Sequence, residues 1–234
     1  MDDEPPRKRM VRLPGGGGDG RMPAQRLKTA KLRTPSSQAW LKRQLNDPYV
    51  AEAKARGYRS RAAFKLIEID EKAHLLRRGM RVIDLGCAPG GWLQVLQERG
   101  AGAVVGVDLL PVDPVAGATI VQADFTADGC GERLAALLGG PPDLILSDMA
   151  PNTTGHRETD HLRITGLIEA AADFAAQTLR PGGAFVAKAF QGGETAEVIA
   201  TLKRAFAEVR TLKPKASRTE SSEVFLVATG FKGR

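Results

Sequence analysis

The sequence predicts an α/β domain with a mostly parallel sheet whose last strand runs antiparallel. Short apolar runs of strand length alternate with segments of helix length from residue 81 to residue 206, which is typical of βαβ units. The last two strand candidates, residues 208–213 and 223–229, are separated by only nine residues. Because so short a connection cannot hold a crossover helix, these two strands should pair antiparallel.

The individual elements follow from local signals in chain order. Two helices, around residues 40–45 and 58–69, precede the first strand. Strands are then predicted at residues 81–85, 103–108, 118–123, 143–148, 184–189, 208–213 and 223–229, and helices at residues 91–98, 130–138, 161–179 and 194–206. Pro181-Gly182-Gly183 marks the end of the longest helix, because proline and glycine interrupt helices.

The length and composition predict one large domain preceded by a basic arm. The chain has 234 residues, of which 42% are hydrophobic, enough for one sizeable core. Residues 1–35 hold four consecutive glycines and scattered proline and arginine, and they cannot bury much surface, so a disordered arm is predicted there. Residues 36–234 are predicted to form the folded domain.

The positive charge of the chain is concentrated in its first quarter. The net charge is +7, and residues 1–60 hold 14 Lys and Arg against 6 Asp and Glu. A basic arm on a near-neutral domain predicts a polyanionic partner such as RNA, with a solubilising tail as the alternative. The first residues lack the apolar stretch of a secretion signal, and no run is long enough to span a bilayer, so we expect a cytoplasmic protein without a membrane partner.

A glycine-rich loop follows the first predicted strand. It runs from Asp84 to Trp92, and Gly86 and Gly90 within it allow backbone angles and close approaches that a Cβ would prevent. Such a strand–turn–helix loop is typical of nucleotide-like ligands. The loop lacks the GxGxxG pattern that cradles a dinucleotide pyrophosphate, which disfavours a nicotinamide-dependent dehydrogenase.

Carboxylates at the strand ends favour S-adenosyl-L-methionine as the cofactor. This molecule has no phosphate but carries a sulfonium and an ammonium, which acidic side chains can bind. Asp108 ends the second strand about twenty residues after the glycines, where an acid receives ribose hydroxyls. Asp124 follows the third strand in the same way. Both residues, together with Asp84 and Asp148, are candidates for contact with the cofactor.

Three polar residues are expected at one edge of the sheet. Asp148 ends the fourth strand and Lys188 ends the fifth. Glu223 begins the last strand, and because that strand runs in the opposite direction its start lies beside the ends of the others. Ligands of such sheets bind at this edge.

Several motifs, in order from about Ser36 to Phe231, resemble the FtsJ-like ribosomal RNA 2′-O-methyltransferases. The motifs comprise residues 45–49, 58–66, 84–92, 147–152, 188–192 and 213–223. The resemblance implies a Rossmann-like class I S-adenosylmethionine-dependent methyltransferase. It also implies a catalytic tetrad and a set of cofactor-binding residues. The tetrad is Lys65, Asp148, Lys188 and Glu223, and the cofactor contacts are Gly90, Trp92, Asp108, Asp124 and Asp148.

The chemistry of the implied reaction explains the two lysines. A ribose 2′-hydroxyl is a poor nucleophile, so its attack on the sulfonium methyl is helped by a base that accepts its proton. Lys188 is the predicted base, and no metal is needed. An ordinary lysine is charged at neutral pH, so burial or a second cation must favour the neutral amine, and Lys65 could be that cation. Asp148 and Glu223 would oppose this effect and are assigned to orienting the lysines.

The resemblance also implies the partner. The expected substrate is a uridine in the A-loop of 23S ribosomal RNA within the large ribosomal subunit, methylated by a monomeric enzyme. Alternatives are 2′-O-methylation of transfer RNA or a messenger cap, and a noncatalytic ribosome assembly factor. Five basic residues are candidates for phosphate contacts, namely Arg59, Arg61, Lys213, Lys215 and Arg218.

Overall fold

A seven-stranded sheet flanked by helices organises this computed structural model, which describes residues 38, 45–150, 157–192 and 195–233. The strands are β1 (Arg81–Leu85), β2 (Ala103–Asp108), β3 (Ala118–Gln122), β4 (Leu144–Ser147), β5 (Ala184–Phe190), β6 (Phe206–Leu212) and β7 (Glu223–Phe231). The helices are α1 (Pro48–Ala55), α2 (Ala62–Ala73), α3 (Gly91–Glu98), α4 (Cys130–Leu138), α5 (Arg157–Thr178) and α6 (Thr195–Ala205). The part from Pro48 onward forms one compact unit.

The strand order is β3-β2-β1-β4-β5-β7-β6. Strands β1 to β5 pair in parallel with their neighbours in this order, whereas β7 pairs antiparallel with both β5 and β6. The register places Glu223 of β7 opposite Phe190 of β5. The predicted α/β fold, with its reversed last strand, is therefore confirmed.

Alternate residues of the central strands serve two separate core layers. Ile83 belongs to the layer that packs against α4 and α5, while its neighbour Val82 belongs to the layer under α2 and α3. A sheet covered on both faces needs apolar residues at consecutive positions, which explains the unbroken apolar runs of these strands. Both cysteines, Cys87 and Cys130, are unpaired and buried in these layers.

The element boundaries differ from prediction mainly before the sheet. Helix α1 was not predicted, because its residues lack an amphipathic period, although Pro48 at its start and Gly57 after its end are typical helix signals. The helix predicted from residue 58 begins at Ala62 instead. The arm at residues 1–35, the boundary at residue 36 and most of the helix at 40–45 lie outside the described residues. None of the described helices is long and apolar enough to cross a membrane.

Candidate functional site

The four residues of the predicted tetrad lie together at the edge of the sheet. Lys65 comes from α2, Asp148 directly follows β4, Lys188 lies in β5, and Glu223 begins β7. The Lys65 ammonium is 2.8 Å from Glu223 Oε1 and 3.9 Å from Asp148 Oδ1. The Lys188 amine is 3.0 Å from the same Asp148 oxygen. Two lysines and two carboxylates thus form one continuous cluster.

Asp148 orients the Lys188 amine through two of its oxygen atoms. Nζ of Lys188 donates to the main-chain oxygen of Asp148 at 2.6 Å, in addition to its 3.0 Å ion pair with Oδ1. Only 7% of Lys188 is exposed, so water competes little for these contacts. The hydrogen bond to the main-chain oxygen and the close contact with the carboxylate together limit the directions that the nitrogen can offer to a substrate.

Glu223 is held as a carboxylate by the groups around it. Lys65 binds it, and the hydroxyl of Ser217 donates to its Oε1 at 2.7 Å. Burial would raise the pKa of Glu223, but Lys65, Ser217 and the more distant Lys188 together keep that pKa below its ordinary value. Ser217 was missed by the sequence analysis, since nothing marks a loop serine six residues before Glu223 as its partner.

The glycine-rich loop passes close to the chain that follows β4. Gly86 and Gly90 have φ of 80° and 104°, a region that favours glycine. A Cβ on Gly86 would lie 2.9 Å from the main chain of Met149, and one on Gly90 would lie 2.8 Å from the Arg59 guanidinium. Neither position has room for a side chain, so the bare backbone of this loop, called the cradle below, packs directly against Met149 and Arg59 beside the tetrad.

The predicted cofactor contacts Asp108 and Asp124 also shape the backbone. Asp108 accepts hydrogen bonds from the main-chain nitrogens of Ala88 at 2.8 Å and Leu110 at 2.9 Å, and so links the glycine-rich loop to the turn after β2. Asp124 is exposed and accepts from the nitrogen and hydroxyl of Thr126, which lower its pKa.

Trp92 is placed differently from the other predicted cofactor contacts. Its indole is 97% buried in the core and donates to the main-chain oxygen of Ala62 at 2.7 Å. The ring also packs 5.8 Å from that of Phe225, over which the Lys65 ammonium lies at 5.6 Å. A contact from Trp92 to a cofactor would therefore come from its main chain.

Asp84 is a buried acid with no partner in the described residues. It lies in β1 before the last residue of the strand, is fully inaccessible, and neither of its carboxyl oxygens receives a hydrogen bond from a described residue. Burial, and then the charges of Asp148 and Asp108, raise its pKa well above the ordinary value. A positive charge near these three acids would offset their repulsion, which suits a cationic ligand such as S-adenosylmethionine.

Asp84→Asn is expected to raise the melting temperature of the ligand-free protein by about 5 °C at neutral pH. Because the folded-state pKa is raised, ionising Asp84 destabilises the fold, and this loss grows as pH rises from the ordinary value through the folded-state value. The gain from asparagine should therefore be larger at about pH 8 than at about pH 4. Thermal melts at both pH values measure it, with exposed Asp128→Asn as the control. An equal or absent gain at the two values would contradict this account.

Three of the basic residues considered for phosphate contacts bind main-chain oxygens. The Arg59 guanidinium donates to Asp113 at 2.6 Å, Pro114 at 2.7 Å and Pro89 at 3.2 Å, and it therefore ties the glycine-rich loop to the loop after β2. Arg61 donates to Ala216, and Lys213 to Ser221 and Thr219. These donors serve to position loops around the site.

Arg59→Lys should weaken cofactor binding about tenfold without changing the salt dependence of RNA binding. Lysine keeps the charge but cannot span three carbonyls on two loops, so the loop after β2 loses its link to Pro89. Calorimetric titration with S-adenosylmethionine and RNA binding at several salt concentrations measure the two effects. Exposed Arg56→Lys on the neighbouring segment is the control. A flatter salt dependence with unchanged cofactor affinity would instead identify Arg59 as a phosphate contact.

The chain is similar in sequence and in fold to proteins described as ribosomal RNA methyltransferases. The model of the FtsJ-like methyltransferase family matches residues 58–231. A Caulobacter vibrioides protein named ribosomal RNA large subunit methyltransferase E is 68% identical over 226 residues, covering 96% of this chain and 100% of the relative. One of the same name from Acidiphilium cryptum is 61% identical over 215 residues, covering 92% and 96%. Among solved structures, a chain described as a ribosomal RNA methyltransferase from Plasmodium falciparum matches with TM-score 0.68 and 34% identity, covering 76% of this chain and 100% of that one.

Proposed function

Because this chain belongs to the FtsJ-like methyltransferase family, we propose that it transfers a methyl group from S-adenosylmethionine to a ribose 2′-hydroxyl of large-subunit ribosomal RNA. The proposed target is a uridine in the A-loop of 23S ribosomal RNA, and the enzyme acts as a cytoplasmic monomer on the large subunit. The names of the curated relatives support the large subunit as partner. The family resemblance stated from the motifs is confirmed by the matching family model.

The observation that carries the proposal is the orientation of the Lys188 amine. Its nitrogen is fixed by both the main-chain oxygen and the carboxylate of Asp148. A neutral amine has two hydrogens and one lone pair, so it can donate to the main-chain oxygen, stay in contact with the carboxylate and still direct its lone pair at a third group. In this arrangement Lys188 accepts the proton of the ribose hydroxyl as the oxygen attacks.

The charge of the cluster suits a cationic cofactor. Lys65 binds Glu223 at 2.8 Å and lies 3.9 Å from Asp148, so a single ammonium is shared by two carboxylates. With Lys188 neutral, the tetrad carries a net negative charge that a cationic cofactor complements. Lys65, Asp148 and Glu223 then orient the base and balance its charge without reacting themselves.

The cradle beside the tetrad supplies groups that suit the proposed cofactor. Gly90 and the main chain of Trp92 would hold it on one side, and Asp108, Asp124 and Asp148 would bind its polar groups. The bound cofactor supplies an electrophilic methyl on a positive sulfur. Asp84, which no described residue binds, is buried near Asp148 and Asp108, and a cationic cofactor would favour its ionised form.

Mass spectrometry of ribosomal RNA from cells with and without this protein tests the proposal. Loss of one 2′-O-methyluridine from the A-loop on deletion supports it, and restoration by the wild-type chain links the loss to this protein. Purified protein should also transfer labelled methyl groups to undermethylated large subunits in preference to naked transfer RNA or capped RNA. Unchanged A-loop methylation would refute the target, and subunit binding without any transfer would favour an assembly factor.

A further inference from the structure

We propose that Glu68 is a positioning residue that sets the geometry of Glu223 through the β6–β7 loop, residues 213–222. This inference rests on the proposed function, because it assigns Glu68 a part in arranging the tetrad. Glu68 lies on α2, three residues after Lys65, so both side chains lie on one side of the helix. Lys65 binds Glu223 directly, and Glu68 binds the loop that leads to it.

The carboxylate of Glu68 accepts several hydrogen bonds from other segments. The main-chain nitrogens of Lys215 and Ala216 both donate to it, the second at 3.0 Å. The Tyr49 hydroxyl, from α1, donates to the same carboxylate at 3.3 Å. Hydrogen bonds to an ionised acceptor are stronger than neutral ones, and two consecutive amides determine the direction of the loop as well as its position.

The residue after this pair of amides reaches the tetrad. Ser217 is 95% buried and donates to Glu223 Oε1 at 2.7 Å. Its neighbour Ala216 is fully buried against Ala53 and Phe64, and the main-chain oxygen of Ala216 accepts a hydrogen bond from Arg61. The loop is thus fixed from several sides immediately before Ser217. Among the described residues, Glu68 is the carboxylate that accepts hydrogen bonds from two main-chain amides of this loop.

The effect of the loop on Glu223 is chemical as well as geometric. Three groups from separate elements face this carboxylate, namely Lys65 from α2, Lys188 from β5 and Ser217 from the loop, and each lowers the pKa of Glu223 against the effect of its burial. A loop displaced from α2 would withdraw the Ser217 hydroxyl. Glu223 would then lose a fixed hydrogen bond, and its pKa would rise.

A double-mutant cycle in single-turnover methyl transfer tests this connection. Glu68→Gln replaces one acceptor oxygen with an amide donor that faces a main-chain N–H, and Ser217→Ala removes the hydroxyl directly. Each variant should lower the transfer rate about tenfold, because small displacements of positioned groups have large effects on rate. If Glu68 acts through Ser217, the double variant should be no slower than the slower single variant. A double variant slowed by the product of the two single effects would overturn the proposal.

Two further measurements separate positioning from general stability. In both single variants the pKa of Glu223 should be higher than in wild type, and an NMR titration of its side-chain carboxyl carbon measures it directly. Hydrogen exchange at the amides of Lys215 and Ala216 should be faster in Glu68→Gln and unchanged in Ser217→Ala. An unchanged pKa of Glu223 in both variants, or unchanged exchange in Glu68→Gln, would contradict the inference.

Glu71→Gln is the matched control, because Glu71 is an exposed acid on the same helix. It should leave the transfer rate, the pKa of Glu223 and the hydrogen exchange of the loop unchanged. Failure of the inference is distinguishable from failure of the proposed function. If the wild-type chain transfers no methyl group, the proposed function fails, whereas additive effects in an active enzyme overturn only the role of Glu68.

Discussion

Lys188→Ala should lower the rate of methyl transfer about a thousandfold while leaving the binding of S-adenosylmethionine and of the large subunit unchanged. The substitution removes the amine that Asp148 orients, and no other described nitrogen is held at that place by both the main-chain oxygen and the carboxylate of Asp148. Single-turnover transfer to undermethylated large subunits measures the rate. Calorimetry and filter binding measure the two affinities.

The control for this variant is Lys203→Ala, which removes an exposed lysine on α6. It should retain the wild-type rate. Because Lys188 is buried, a thermal melt of each variant checks that the fold is preserved. Transfer at the wild-type rate by a folded Lys188→Ala protein would refute the assigned base. If the variant lost both subunit binding and transfer, Lys188 would be a recognition residue and not the base.

Lys65→Met should destabilise the protein by about 3 kcal/mol at neutral pH and slow transfer about a hundredfold. Methionine fills a similar volume but leaves the Glu223 carboxylate, only 14% of whose side chain is exposed, without its closest cation. Urea unfolding measures the free energy of unfolding. The pH dependence of this free energy then shows whether the unpaired Glu223 carboxylate causes the destabilisation.

The stability that Lys65 contributes through Glu223 should disappear in acid. The folded-state pKa of Glu223 is lowered, so the contribution is present above its ordinary pKa and is lost as pH falls through the folded-state value. The difference between wild type and Lys65→Met should therefore shrink as pH falls below about 4. Adding Glu223→Gln to Lys65→Met should recover stability at neutral pH but not transfer. A difference that is independent of pH would show that lost packing, and not the unpaired carboxylate, is responsible.

The fold could be predicted because its strongest signals are local. Consecutive apolar residues around Val82 and Ile83 are required by a strand covered on both faces, and the short connection before Glu223 permits only an antiparallel pair. The direction of the strands then places Asp148, Lys188 and Glu223 at one edge without any knowledge of side-chain contacts. The tetrad was thus largely accessible from topology, with Lys65 added by the family resemblance.

The support around the tetrad could not be predicted, because it depends on contacts between distant segments. Glu68 and Ala216 are 148 positions apart, and neither has a local pattern that indicates the other. The contacts of Arg59 also could not be predicted. Its charge suggested a phosphate contact, but its guanidinium binds the main-chain oxygens of Asp113 and Pro114, which are 54 and 55 positions away. Trp92 shows the same limit, since a motif residue gives no sign of whether its ring or its main chain is the functional part.

The position of β7 has a consequence for how the protein acquires its activity during folding. Strand β7 follows every other strand in the sequence, yet it lies inside the sheet, between β5 and β6. Strand β6 pairs in the sheet with β7 alone, and a short connection joins the two, so they can form a local hairpin that then docks on β5. Since β7 carries Glu223, a collapsed intermediate without it would contain the glycine-rich loop and both lysines but would lack a complete tetrad. Acquisition of activity is therefore tied to the docking of this strand on β5.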